Sequence, residues 1–199
     1  MSGRRSRGSS DLGRRRHTKQ EKPRILIVTE GLNTEPQYFK GLLHELRATG
    51  VEVYRLHVEG IGRDPVRVVK KALVISSEAP AGDEYEQVWC VVDVDDHETL
   101  QTALSAARRA SINVAVSNPC FEVWLLWHFT DHRSHVNQVT LKRKLRDFGV
   151  HGKNLPADFP YAEYTSAMTR AEACGPSDDF QLPANPSSSV GRLTRMLTR

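Results

Sequence analysis

In VVDVDDH (91–97), an apolar run ending at Val92 meets Asp93, Asp95 and Asp96. Like charges this close raise one another's pKa and add no local stability, so the motif calls for a cation or a capping role. A second apolar run, RILIVT (24–29), ends in Glu30-Gly31, an acid followed by a residue that permits a tight turn. Carboxylate oxygens suit hard cations, and Mg²⁺ takes one or two of them while leaving its other positions to water and substrate phosphate. The chemistry suggested is work on a phosphate assisted by Mg²⁺ or Mn²⁺, with Asp93 and Asp95 as ligands and Glu30 beside them. Asp96 has a plainer alternative as the cap of a helix beginning near Thr99.

Other residues could join such a site. Glu35 in EGLNTEP would be a nearby carboxylate or a ligand, although an acid in the first turn of a helix is also favoured by the helix dipole. Ser117, Asn118 and Glu122 follow another apolar run, and Glu122 sits within the otherwise apolar helix start FEVW, where a buried acid needs a partner. His97 beside the acids could orient a water or a phosphate. His128, within FEVWLLWHF, reads as a satisfied core histidine, and Trp89, Trp124 and Trp127 read as core. Lys142, Arg143, Lys144 and Arg146 would make a phosphate-contacting helix or a solvated basic face, and Arg63 in GIGRDP is a further phosphate candidate.

The elements that must position these groups alternate in type. Strands are expected at 24–29, 51–58, 87–92 and 112–116. Helices are expected from Asn33 or Thr34 to Gly50, over 64–79, from Thr99 to Arg109, and over FEVWLLWHF, with Pro119 near the first turn of the last. This alternation predicts an α/β fold whose mainly parallel sheet is covered by helices on both faces. Ligands in such sheets bind beyond the carboxyl ends of the strands, where Glu30 and Asp93 would lie. Period-two geometry places Asp93 and Asp95 on one side and Asp96 on the other, if the strand persists. Beyond residue 130 no strand signal is visible, and helices at 138–148, 160–174 and 188–198 predict a helical C-terminal cap over 130–199.

The 199-residue length suits one domain over 24–199, and the net charge of +4 is unevenly placed. Residues 1–23 hold eight Lys/Arg against Asp11 and Glu21, an excess of six positive charges, so the remaining body carries −2. This Ser/Gly/Arg-rich arm is expected to be disordered and able to attract phosphates without reading sequence. No apolar run approaches a bilayer-spanning length, and the basic N-terminus lacks the apolar segment of a secretory signal, so a cytoplasmic location and no membrane partner are expected. Three widely spaced cysteines (Cys90, Cys120, Cys174) read as reduced thiols.

The pairing of an apolar strand ending in Glu-Gly with a later Asp-x-Asp resembles the Toprim domain of topoisomerases, primases and OLD-type nucleases. More closely, ILIVTEGLNTEPQYF (25–39), VVDVDDH with AVSNPCFEVWLLWHF (115–129), and NPSSSVGRL (185–193) resemble the RloB-like family. The resemblance implies a Toprim-like, Rossmann-like sheet, Glu30 as general acid/base or metal ligand, and Asp93 and Asp95 as the metal-binding pair. It further implies a Mg²⁺-dependent nuclease of a bacterial anti-phage or restriction-associated system, with DNA or RNA (tRNA included) as substrate and an ATPase as partner protein. Two other readings stay open: a non-catalytic module that docks the ATPase, and a phosphoryl-transfer enzyme acting on a small nucleotide.

Overall fold

The computed structural model describes residues 24–50, 55–62, 64–94, 99–175 and 184–198. The basic arm, Arg63, Asp95, Asp96 and His97 lie outside the described residues. In chain order the elements are β1 (Arg24–Thr29), α1 (Thr34–Ala48), β2 (Arg55–Gly60), α2 (Pro65–Ser77), β3 (Tyr85–Asp93), α3 (Leu100–Arg109) and β4 (Asn113–Asn118). They continue with α4 (Glu122–Phe129), α5 (Gln138–Arg146), a 3-10 turn (Tyr161–Glu163) leading into α6 (Tyr164–Ala173), β5 (Ser187–Ser188) and α7 (Val190–Leu197). The strands form one sheet of order β2-β1-β3-β4-β5, the first four parallel and β5 antiparallel to β4. The molecule is thus an α/β, Rossmann-like fold with a mainly parallel sheet and a largely helical C-terminal part.

The central strands are apolar through their middles, at 25–28, 88–92 and 114–116, because both of their faces are covered there. Ile25, Ile27, Trp89, Val91 and Ala115 face a layer built from α1, α4, α5, α6 and α7, with Trp124 and Trp127 fully buried at its centre. The alternate residues Leu26, Val28, Cys90, Val92, Val114 and Val116 face α2 and α3, where Val68, Val69, Leu100, Ala103, Leu104 and Ala107 meet them. Full burial of a side chain of this size stabilises by about 1.5–3 kcal/mol, so this alternation holds β1 and β3 in register firmly enough to carry acids at their tips. Trp89 has the parity of Asp93, so the β3 tip sends Asp93 to the face covered by α1 and α4.

Several local expectations are corrected. The described part of the second strand runs to Gly60, two residues beyond the expected 51–58, because Glu59 and Gly60 continue the pairing with Val28 and Thr29. A Cβ on Gly60 would stand 2.4 Å from the Gly31 carbonyl oxygen, so only glycine lets the two tips approach this closely. Neither Asn33 nor Thr34 caps α1 through its side chain; the Thr34 hydroxyl instead donates to the Lys153 carbonyl at 3.0 Å. Pro119 precedes α4 instead of sitting in its first turn, since the helix begins at Glu122 after a cis Asn118–Pro119 bond. The expected helix over 160–174 is split, a 3-10 turn preceding α6.

The fifth strand escaped a hydropathy reading because it consists of two serines. The Ser188 and Ser117 hydroxyls bond across the sheet edge at 2.9 Å, the Ser187 hydroxyl donates to the Ala184 carbonyl, and the Val116 amide donates to Oγ of the following Ser189 at 2.8 Å. All three cysteines are free, Cys90 and Cys120 buried in the core. Among the described residues no helix is long and apolar enough to cross a membrane.

Candidate active site

The tips of β1 and β3 stay joined one residue past the end of β1. Glu30 N donates to the Val91 carbonyl at 2.9 Å, the Glu30 carbonyl accepts from Gly62 N at 2.8 Å, and Val94 N donates to the Ser117 carbonyl at 2.8 Å. Buried Thr29 closes the turn by donating from Oγ1 to the Gly31 carbonyl at 2.8 Å. The Glu30 carboxylate then reaches sideways, and its Oε2 accepts from the Asp93 amide at 3.3 Å.

The turn at Gly31 carries the chain directly into α1 and brings Glu35 back over the strand tip. Glu35 Oε1 accepts from Gly31 N at 3.0 Å, and the side chain is only 7% exposed. A Cβ on Gly31 would stand 2.0 Å from Glu35 Oε2, so the absence of a side chain at 31 is a condition for this placement. On the far side of Asp93, the turn before α4 aims the Phe121 amide at the Asp93 carboxylate and sets Glu122 beside it.

Glu30, Glu35, Asp93 and Glu122 therefore act on one another electrostatically. Asp93 keeps some accessible surface toward a cleft, yet protein atoms crowd it densely. Burial first, then the charges of Glu35, Glu122 and Glu30, push its pKa well above the usual carboxylate range, and the Phe121 amide only partly opposes this. Glu35 is raised by burial foremost and by Glu122 and Glu30 less strongly, against the amides of Glu35 and Gly31, which favour its ionised form. Cys120 lies against Glu122 and Asp93, and burial and these acids raise its thiol far above its ordinary value, leaving it a poor nucleophile.

The acids open onto a cleft of about 570 Å³. Glu35, Asp93 and Glu122 line it together with Lys142 and Arg146 of α5 and with Lys153, whose carbonyl is bonded by Thr34, the residue before Glu35. Leu141 and Leu145, 0% and 1% exposed, seat α5 in the core beside α4 and so fix which side of α5 meets the cleft.

The expected site residues are thus sorted by position. Asp93, Glu35 and Glu122 line the cleft, and Glu30 lies behind them on the Asp93 amide. Ser117 stands opposite Asp93 in register but spends its hydroxyl on Ser188, and neither it nor Asn118 lines the cleft. Of the basic candidates, Lys142 faces the cleft, while Arg143 and Lys144 do not. Lys153 was not anticipated: it sits in a loop without hydropathy pattern, held at the site by bonds from α1 and by the packing of Val150 and Leu155 against the core.

His128 is a core residue, as its apolar surroundings suggest. Its Nδ1–H donates to the Trp124 carbonyl at 3.0 Å and its Nε2 accepts from the Tyr38 hydroxyl at 3.2 Å. Burial lowers its pKa to about 4, so it is neutral and held as a two-bond spacer in the core.

The donor set suits a hard divalent cation. Every acid facing the cleft offers only carboxylate oxygens, and their mutual repulsion is what a bound cation would relieve. Among the described residues no three His, Cys, Asp or Glu side chains already stand as a closed ligand cluster, so the fit is one of chemistry and proximity.

No curated protein matches the sequence. A family-level match to "RloB-like protein" covers residues 25–197, from the first residues of β1 to the end of α7. The chain therefore belongs to the RloB-like family.

Proposed function

We propose that the protein is a Mg²⁺- or Mn²⁺-dependent nuclease of Toprim-like design, acting in an anti-phage or restriction-associated setting. The observation that carries this reading is the convergence of Glu30, Glu35, Asp93 and Glu122 at the carboxyl end of the sheet, the last three lining a cleft that Lys142, Arg146 and Lys153 also line. Asp93, Glu35 and Glu122 would hold the cation, with Asp95 as the further ligand that the DxD resemblance implies. A divalent cation supplies Lewis-acid polarisation of a phosphate and makes a coordinated water more acidic. Glu30 would move the proton at its carboxylate, which the Asp93 amide keeps beside the tip of β3. Gly31 N–H orients Glu35 and Phe121 N–H orients Asp93, and binding a cation would draw these acids closer together.

Cleavage of DNA and RNA, tRNA included, is to be measured with Mg²⁺ or Mn²⁺ for wild type and for Asp93→Asn and Glu35→Gln. Both variants should lose at least about a hundredfold in rate, because each removes a ligand of the cation that would stabilise the charge developing on the phosphate. Equal rates in wild type and variants refute the assignment. Wild type that cuts nothing and gains no stability from either cation instead fits a non-catalytic module docking an ATPase. A second reading has one observation in its favour: about 570 Å³ suits a single nucleotide. Turnover of small nucleotides, with polynucleotides untouched, would establish it.

A further inference from the structure

Two cations of α5 and one loop lysine are left over by the proposed chemistry. Lys142 and Arg146 are four residues apart, hence within about 40° of one another around the helix, on the side that also presents Gln138 and Leu145 to the cleft. Arg143 and Lys144, at roughly 100° and 200° from Lys142, turn elsewhere, and Lys144 acts on His132 instead. Lys153 is brought to the same cleft by a tight turn, with a bridge between His151 and Asn154 and Gly152 at φ +68°. Three bonds tie this turn to α1. Thr34 donates to the Lys153 carbonyl, Gln37 Nε2 donates to Asn154 Oδ1 at 3.0 Å, and Leu155 N donates to Gln37 Oε1 at 3.0 Å.

Among the described residues none of Lys142, Arg146 and Lys153 forms an ion pair with a carboxylate. Three exposed cations lining one cleft and carrying no carboxylate partner among the described residues attract anions, and the concave surface focuses their field. The acids of the same cleft repel a carboxylate ligand, whereas a phosphate held through a cation on those acids carries a neighbouring phosphate one nucleotide away. The cleft has no free aromatic face for a base: Phe121 is its one aromatic lining residue among the described residues, and it is 1% exposed.

We propose that Lys142, Arg146 and Lys153 form a subsite for the phosphate next to the scissile one, so that the protein grips the backbone of a nucleic-acid strand and does not read its bases. This deepens the nuclease reading and rests on it for the identity of the scissile phosphate. The subsite itself is tested by binding alone. Anisotropy of short labelled single strands of DNA and of RNA, in chelator, is followed against salt for wild type, Lys142→Gln/Arg146→Gln and Arg143→Gln/Lys144→Gln. The two double variants lose the same charge from the same helix. The cleft pair should flatten the log–log salt slope by about 1.4, at roughly 0.7 per lost contact to a single strand, while the other pair leaves it near wild type. Lys153→Gln should flatten it by about half as much as the cleft pair.

Equal slopes for the two double variants overturn the proposal, as does affinity that depends on base sequence more than on these cations. A kinetic arm separates this failure from failure of the nuclease reading. The cleft pair should raise KM on a polynucleotide about tenfold, the effect of ~1.4 kcal/mol, with KM unchanged on bis(p-nitrophenyl) phosphate, which has no second phosphate. A parallel rise on both substrates refutes the subsite. If wild type cleaves neither, the nuclease reading fails while the binding arm still decides the subsite.

Discussion

Gly31→Ala isolates the contact on which the acidic site is built. The backbone at 31 is outside the left-handed region, so alanine brings no conformational penalty there. The added Cβ would instead stand 2.0 Å from Glu35 Oε2 and 2.5 Å from both Cδ and Oε1. Glu35 must then swing away and lose the 3.0 Å bond from Gly31 N, leaving that amide without its partner. Hydrogen bonds to charged groups contribute about 1.5–3 kcal/mol, so Gly31→Ala should cost about 2 kcal/mol. In a Glu35→Ala background the clash and the bond are both absent. The same change should then be neutral, or stabilise by about 0.5 kcal/mol through the unfolded chain. Urea unfolding of the four proteins of this cycle gives a coupling energy expected near 2 kcal/mol. The same cost for Gly31→Ala in both backgrounds would refute the placement of Glu35 over the turn.

The remaining predictions concern charge. In chelator, Asp93→Asn should raise the unfolding midpoint, because it removes a buried acid repelled by Glu35, Glu122 and Glu30, and it should abolish stabilisation by added Mg²⁺. A lowered midpoint in chelator would show that Asp93 already has a compensating partner. His128 is faced by Tyr38, Arg170 and Glu163, and its folded pKa of about 4 lies below the ordinary 6.5. Its contribution is fully present above about pH 6.5 and is lost as pH falls toward 4, by roughly 3 kcal/mol in all, since the unfolded chain takes up the proton first. Stability measured against pH for wild type and His128→Gln should differ in slope within that window alone, and equal slopes there would sink the assignment.

The cations of the cleft wall show where local pattern stops. Lys142, Arg143, Lys144 and Arg146 are equivalent as a basic run, and the choice among them follows from Leu141 and Leu145, which set the rotation of α5 once they are buried. Those two leucines are visible in the sequence, but the element they pack against is not. Glu35 is similar: an acid in the first turn of a helix has a local reason to exist, and only the fold shows that Gly31 and the Glu30 turn place it above Asp93.

By itself the sequence determined the order of strands and helices through β4 and the parallel arrangement, because residues buried on both faces leave continuous apolar runs. It also determined that acids end β1 and β3, and that His128 and the three tryptophans belong to the core. Tertiary structure alone decided the fifth strand, whose two serines pair with Ser117 and Asn118 across the sheet. It likewise decided the meeting of Glu35 and Glu122 at Asp93, and the arrival of Lys153 from a loop more than a hundred residues beyond α1's first turn. Hydropathy reports how a residue partitions from water; it carries no information on which distant hydrogen bond or charge it will meet.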